Sequence, residues 1–258
     1  MLPRESIAAA IRAPGGGQPA LVAFLVAGYP DPARFMDQLA VVSEVADVVE
    51  IGVPHSDPFL DGPTIRGASQ QALAAGITLE RILRQLAELP APRLPPLVLM
   101  SYRAPVLAFG ADRLPAALRG AGVAGLLVPD LSWEDGSELR LALEAEGLAM
   151  VQLVTPALAA ARLVQRVGAA RGFVYAATGS GVTGGERRVD QELLSWLDRV
   201  RALTDLPVCA GFGIRDAAQV AALAGHVDGV VVGSALVETI GRGGNAAAFL
   251  RCLRGAPA

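Results

Sequence analysis

The sequence predicts an α/β protein, a single (β/α)8 TIM barrel with an extra N-terminal helix, and three observations carry that prediction. Eight short, almost continuously apolar runs recur along the chain, at 20–27, 47–53, 96–101, 125–129, 149–154, 172–177, 207–211 and 228–233. Between them lie longer stretches with apolar residues at three- and four-residue spacing and Arg, Glu or Asp on the opposite face. The 258 residues match the roughly 250 of one such barrel. No linker-like segment divides them, so one domain over 1–258 is expected.

Taken in order, residues 1–17 mix Arg4, Glu5 and Arg12 into a short apolar stretch. That pattern lacks the uninterrupted apolar core of a signal peptide and reads as a first amphipathic helix. The run 20–27 (ALVAFLVA) is the first strand, far short of the ~20 apolar residues a membrane helix needs. Helical periodicity over 32–46 leads to the second strand, 47–53 (DVVEIGV), and Gly62-Pro63 suits a helix start. A helix over 79–88 and a proline-rich loop at 90–96 precede the third strand (PLVLMS). Strands at 125–129, 149–154, 172–177, 207–211 and 228–233 then alternate with helices at 134–146, 157–170, 191–203 and 215–224. Strands this continuously apolar are covered on both faces, as in a parallel sheet. An open doubly wound sheet is the alternative, and the count of eight favours the barrel.

Composition narrows the chemistry. All 22 basic residues are arginine, because the chain has no lysine. Schiff-base, pyridoxal-phosphate and Walker-type phosphate lysines are therefore excluded. A net charge of −3 without basic clusters argues against nucleic acid and anionic membrane as partners. Cys209 and Cys252 form no disulfide framework and fit a reducing cytoplasm.

In a barrel, function gathers where strands end and loops begin. Three stretches stand out there. The first runs from Val49 to Pro63 and contains Glu50, a carboxylate inside a strand of valine, isoleucine and glycine, and Asp61 in the following loop. Burial raises a carboxyl pKa toward neutrality and suits it to general acid–base work. The plain alternatives are a buried ion pair for Glu50 and a helix cap for Asp57 or Asp61. The second stretch, Tyr175 to Glu186, runs from a strand end into a loop with glycine at 179, 181, 184 and 185. It can present backbone N–H groups to an anion, or be an ordinary loop with Tyr175 in the core. The third is a pair of turns, Gly211-Phe212-Gly213-Ile214-Arg215 and Gly233-Ser234-Ala235, after the seventh and eighth strands. Barrels often bind phosphate there through backbone N–H groups and a helix N-terminus. Ser234 could cap the helix while donating to a phosphate oxygen.

His55 and His226 are the only histidines, and neither sits in a cluster with metal-ligand spacing, so no metal is expected. His226 reads as a surface loop residue. Cys209, in Val208-Cys209-Ala210, reads as a small core residue.

Together these stretches resemble the alpha subunit of tryptophan synthase. The resemblance covers essentially the whole chain, from Phe24-Leu25-Val26-Ala27-Gly28-Tyr29-Pro30 to Gly233-Ser234. Its most specific part is Glu50-Ile51-Gly52-Val53-Pro54 with Ser56-Asp57-Pro58 and Asp61-Gly62-Pro63-Thr64-Ile65, followed by Gly181-Val182-Thr183-Gly184 and Gly211-Phe212-Gly213-Ile214. It implies a cofactor-free lyase that cleaves indole-3-glycerol phosphate to indole and glyceraldehyde 3-phosphate in tryptophan biosynthesis. On the resemblance, Glu50 is the acid/base and Asp61 the second catalytic carboxylate, at the indole N–H. Tyr175 stands beside the glutamate. Thr183, Gly184, Gly213, Gly233 and Ser234 belong to the substrate-binding set, mostly at the phosphate. Phe24, Met100 and Leu127 line the indole pocket. The implied partner is a beta subunit in an alpha2beta2 complex.

The chain departs from the family pattern at Ala104, where asparagine is usual, at Ser132, where proline is usual, and at Val26, where threonine is common. Ala104 and Ser132 fall in stretches the family uses to meet the beta subunit. Two alternatives therefore stand beside the alpha-subunit reading: a stand-alone indole-releasing lyase feeding another indole pathway, and a catalytically weak subunit that activates a partner.

Overall fold

The computed structural model describes residues 1–15, 17–89, 94–177, 189–211 and 213–255. From the N-terminus the elements are α1 (Pro3–Arg12), β1 (Ala20–Val26), α2 (Phe35–Ser43), β2 (Val48–Gly52), α3 (Pro63–Ala74), α4 (Leu79–Ala87) and β3 (Leu97–Met100). They continue with α5 (Arg103–Phe109), α6 (Leu114–Gly120), β4 (Val123–Leu127), α7 (Ser137–Ala145), β5 (Ala149–Met150), β6 (Gln152–Val154) and α8 (Ala160–Ala169). The last are β7 (Val174–Ala177), α9 (Gln191–Arg201), β8 (Val208–Gly211), α10 (Ala217–Leu223), β9 (Gly229–Val232), α11 (Ser234–Gly241) and α12 (Ala246–Leu253).

All strand pairs are parallel, in the order β5-β4-β3-β2-β1-β9-β8-β7-β6. Only Val151 separates β5 from β6, and its N–H donates to the Leu126 carbonyl at 2.9 Å. The run 149–154 thus pairs with β4 through its first half and with β7 through its second. It is one strand of an eight-stranded barrel, as the sequence predicts. The expected strands and helices all appear; most are trimmed at their ends by up to three residues, while β4 is shifted two residues toward the N-terminus and α1 stops five residues short of position 17. Helices α5, α6 and α12 were not expected. The first two are only seven residues each and contain Pro105 and Pro115, which blur a helical pattern.

In a parallel barrel, register partners share a face, and alternate residues point inward. Phe24 pairs with Glu50 and Glu50 with Val98. On the far wall Leu153 pairs with Tyr175, Tyr175 with Cys209 and Cys209 with Gly229. Helix α1 plugs the end where the strands begin. Its Ile7 and Ile11 are buried, and a Cβ on Gly125 would lie 3.1 Å from Ile7 Cδ1. Small residues at the strand starts thus make room for the plug.

The same end carries a device used twice. Asp47, just before β2, donates its N–H to the Leu21 carbonyl at 2.9 Å and accepts the Leu21 N–H on Oδ2 at 2.7 Å. Asp228, just before β9, does the same with Val208, at 2.9 and 2.8 Å. Each carboxylate is also held by an arginine, Arg254 at 2.6 Å and Arg201 at 3.2 Å. These clamps set the register of β1 against β2 and of β8 against β9. Because β1 and β2 carry Phe24 and Glu50, the Asp47 clamp also fixes where the candidate site sits.

Replacing Asp47 by alanine leaves the Leu21 N–H without its acceptor in a fully buried residue. The expected loss is about 1–3 kcal/mol. Urea unfolding of the two proteins checks it, and an unchanged midpoint would remove the clamp from the account of the fold.

Candidate functional site

Strand β2 carries Glu50 into the barrel, where it is 2% exposed. Its Oε2 has no hydrogen-bond partner among the described residues. Among the described residues no arginine answers it, so the ion-pair alternative finds no partner there. Burial, and secondarily the nearby charge of Asp61, raise its pKa from 4.5 to about 8.

Asp61 arrives on the loop between β2 and α3 and is also buried. Its Oδ2 accepts a hydrogen bond from the Tyr102 hydroxyl at 3.1 Å, and the same hydroxyl accepts the Leu60 N–H at 3.2 Å. Tyr102 follows β3 and is fixed in turn by ring contacts with His55, stacked at 5.0 Å, and Phe59, tilted at 5.7 Å. Burial raises the Asp61 pKa from 3.8 to about 6, while the Tyr102 hydrogen bond and the charge of Arg66 hold it back. Asp61 does not cap α3. Gly62 occupies the cap position, with no side-chain cap bond.

The space around the two carboxyls is walled by apolar groups. Phe24 lies against Gly52, where a Cβ would come within 2.6 Å of its ring. Met100 pairs in register with Gly52 on one side and Leu127 on the other; Leu127 is buried and Met100 half-buried. Tyr175 rests on Gly211, where a Cβ would approach its hydroxyl within 2.4 Å. Burial first, then the charges of Glu50, Asp61 and Cys209, push the phenol's pKa well up, so it stays neutral beside them.

Strands β8 and β9 end at the remaining candidates. Gly213 takes φ +25°, a conformation that favours glycine. Gly233 caps α11 and Ser234 is its first residue, without a side-chain cap bond. Gly233 rather than Ser234 therefore occupies the cap position. A Cβ on Gly233 would lie 3.8 Å from Phe24 and 3.9 Å from Ile65 Cδ1. The helix start thus abuts the apolar wall. Thr183 and Gly184 lie outside the described residues.

Glu50, Asp61, Phe24, Met100, Leu127 and Tyr175 are therefore brought to the barrel interior and mouth, with Gly213, Gly233 and Ser234 at the ends of β8 and β9. Tyr102 was missed by sequence reasoning. Its signal was its position directly after a strand end, in Ser101-Tyr102. His226 is a partly exposed loop residue, with its Nδ1 2.8 Å from Asp198. Among the described residues no group of three His, Cys, Asp or Glu could hold a metal ion, and no helix is long and apolar enough to cross a membrane.

A closed barrel with two inequivalent buried carboxyls at its mouth and a glycine-flanked helix start nearby defines a (β/α)8 enzyme built for acid–base chemistry. Comparison with known proteins makes the class specific. The family model described as tryptophan synthase alpha chain matches residues 12–251. The chain is 42% identical over 225 residues to the tryptophan synthase alpha chain of Carboxydothermus hydrogenoformans, covering 87% of this chain and 84% of that one. It is 40% identical over 240 residues to that of Nitratidesulfovibrio vulgaris, covering 93% of each. Among solved structures, tryptophan synthase from Mycobacterium tuberculosis superimposes with a TM-score of 0.83 at 36% identity, covering 98% of this chain and 95% of that one. The chain belongs to the tryptophan synthase alpha chain family, lyases of tryptophan biosynthesis that act on indole-3-glycerol phosphate. Its relatives carry that name over most of their length, which does not favour the two alternative readings.

The raised pKa of Glu50 has a consequence for stability. Between about pH 4.5 and 8 the folded protein keeps a proton that the unfolded chain releases. Stability therefore falls as pH rises through that window, by up to ~1.4 kcal/mol per pH unit. Glu50→Gln removes this dependence, so its stability relative to the parent should be greater at pH 8 than at pH 5. Urea unfolding at both values checks it, and a pH-independent difference would contradict the raised carboxyl.

Proposed function

We propose that Glu50 is the general acid and base, and Asp61 the charge-stabilising carboxylate, of a retro-aldol cleavage of indole-3-glycerol phosphate. The observation that carries this reading is a Glu50 oxygen without a partner among the described residues, on a carboxyl raised to about 8, beside a second raised only to about 6. At neutral pH the first is mostly protonated and the second mostly ionised. Environments that push two carboxyls apart in this way assign acid and anion roles.

In the reaction, Glu50 gives its proton to indole C3, and positive charge develops on the ring and its N–H. Asp61, held as an anion by Tyr102 and Arg66, accepts a hydrogen bond from that N–H. The Glu50 carboxylate then takes the proton of the glyceryl hydroxyl. The carbonyl of glyceraldehyde 3-phosphate forms, the carbon–carbon bond breaks, and its electron pair returns to the ring. Indole leaves with its new C3 hydrogen, and Glu50 is protonated again. No cofactor is needed, since the indole ring is itself the electron sink. Phe24, Met100, Leu127 and Tyr175 enclose the ring. Backbone N–H groups at Gly213, Gly233 and Ser234 bind the phosphate, a role no lysine is present to take.

The family also implies a beta subunit, and we place it at the mouth, over the Asp61 loop. Phe59 and Leu60 on that loop are 53% and 37% exposed, and Leu107 on α5 is 56% exposed. Ala104, the second residue of α5, and Ser132, in the loop after β4, are exposed nearby. Two unpaired thiols suit a cytoplasmic enzyme.

Glu50→Gln should lower kcat by ~10²–10⁴ or more; a loss under tenfold removes Glu50 from the chemistry. The parent's kcat/KM should be bell-shaped, falling below about pH 6 as Asp61 protonates and above about pH 8 as Glu50 ionises. Tyr102→Phe, which removes a hydrogen bond that lowers the Asp61 pKa, should move the acid limb to higher pH and leave the alkaline limb in place. Indole release measured with and without a beta subunit checks the partnership: turnover should rise on addition, and an unchanged rate with no complex by sedimentation would contradict it.

A further inference from the structure

Glu238 lies on α11, one turn beyond Ser234. Its Oε1 accepts a hydrogen bond from the Thr64 hydroxyl at 3.0 Å. The two carboxylate oxygens also receive the Arg215 guanidinium in a forked pair, at 3.0 and 3.1 Å. Thr64 is the second residue of α3, three positions after Asp61, and Arg215 is two positions after Gly213. One side chain therefore ties together the loops after β2, β8 and β9. The Arg215 and Thr64 hydrogen bonds hold the Glu238 carboxyl below its usual pKa, so it stays ionised. The tie is not isolated, since Ile65 packs beside Gly233 at the same junction.

These three loops carry the two ends of the substrate site as read above. Asp61 would hold the indole N–H, and the turns at Gly213 and Gly233-Ser234 the phosphate. The three-carbon chain between indole and phosphate lets the substrate engage both ends at once only over a limited span, and misplacement of the reacting groups by about 1 Å can cost up to a hundredfold. An ordinary exposed ion pair adds little to stability. One that bridges three functional loops acts on their spacing instead.

We propose that Glu238 is a positioning residue that holds the indole end and the phosphate end of the site at the separation of indole-3-glycerol phosphate. It touches neither end of the substrate. This proposal rests on the assignment of Asp61 and Ser234 given above.

The test separates whole-substrate binding from fragment binding. In Glu238→Ala, the dissociation constants of indole alone and of glycerol 3-phosphate alone should stay within twofold. KM for the intact substrate should rise about tenfold, because the gain from joining the fragments depends on geometry. Thr64→Val should give a smaller rise, and the Thr64→Val/Glu238→Ala double variant should match Glu238→Ala alone. Glu238→Gln, which can still hydrogen-bond Thr64, should recover part of the loss. A KM within twofold of the parent, or fragments weakened as much as the whole substrate, overturns the positioning role. Failure of the site assignment looks different: Asp61→Asn would then leave indole binding unchanged, and Ser234→Pro would leave glycerol 3-phosphate binding unchanged, in a chain whose Glu238 is intact.

Discussion

Glu50 stands inside a closed parallel barrel, with one oxygen that meets no donor among the described residues. The remaining features of the site follow from that isolation. Putting a carboxyl out of water costs free energy unless it is paired, and an unpaired one lowers the cost by keeping its proton. A lone acid in a water-poor interior at neutral pH is a proton donor waiting for a base. Asp61 sits in the same field, yet Tyr102 and Arg66 offset part of its burial. The difference between the two carboxyls is thus built from their neighbours, with no metal or cofactor needed to create it.

The scaffold supports this by separating tasks along the barrel axis. At the end where strands begin, α1 fills the bore and the Asp47 and Asp228 clamps set strand register, with their charges answered by Arg254 and Arg201. At the mouth, the two carboxyls are left under-paired, and on the proposed reading anion binding falls to glycine turns and a helix start. A chain without lysine can run this chemistry because indole accepts the proton itself and backbone N–H groups can hold a phosphate. The Glu238 tie then joins the loops that carry the two halves of the proposed site.

Much of this was legible in the sequence because it is written in short-range pattern. Eight apolar runs at barrel spacing give the fold, and a glutamate inside Val-Val-Glu-Ile-Gly is conspicuous against its neighbours. The glycine turns after two strands are equally local. What was not legible depends on residues distant in sequence. Tyr102 meets Asp61 across 41 positions, and Thr64 meets Glu238 across 174. No periodicity marks either contact. Helix α3 showed only its start, because Thr-Ile-Arg-Gly-Ala-Ser-Gln-Gln lacks a clear apolar stripe. Ser234 failed as a cap because the turn places Gly233 there, a matter of one residue that strand-end reading does not resolve.

The most direct test of the account is the titration of the Glu50 carboxyl itself. Carbon-13 NMR of the protein labelled at glutamate Cδ, with the resonance assigned by its loss in Glu50→Gln, reads the protonation state without substrate. The account predicts a carboxyl that is protonated at pH 6 and titrates near pH 8. A Glu50 resonance already ionised at pH 6, with a midpoint near the 4.5 of an ordinary glutamate, would contradict it.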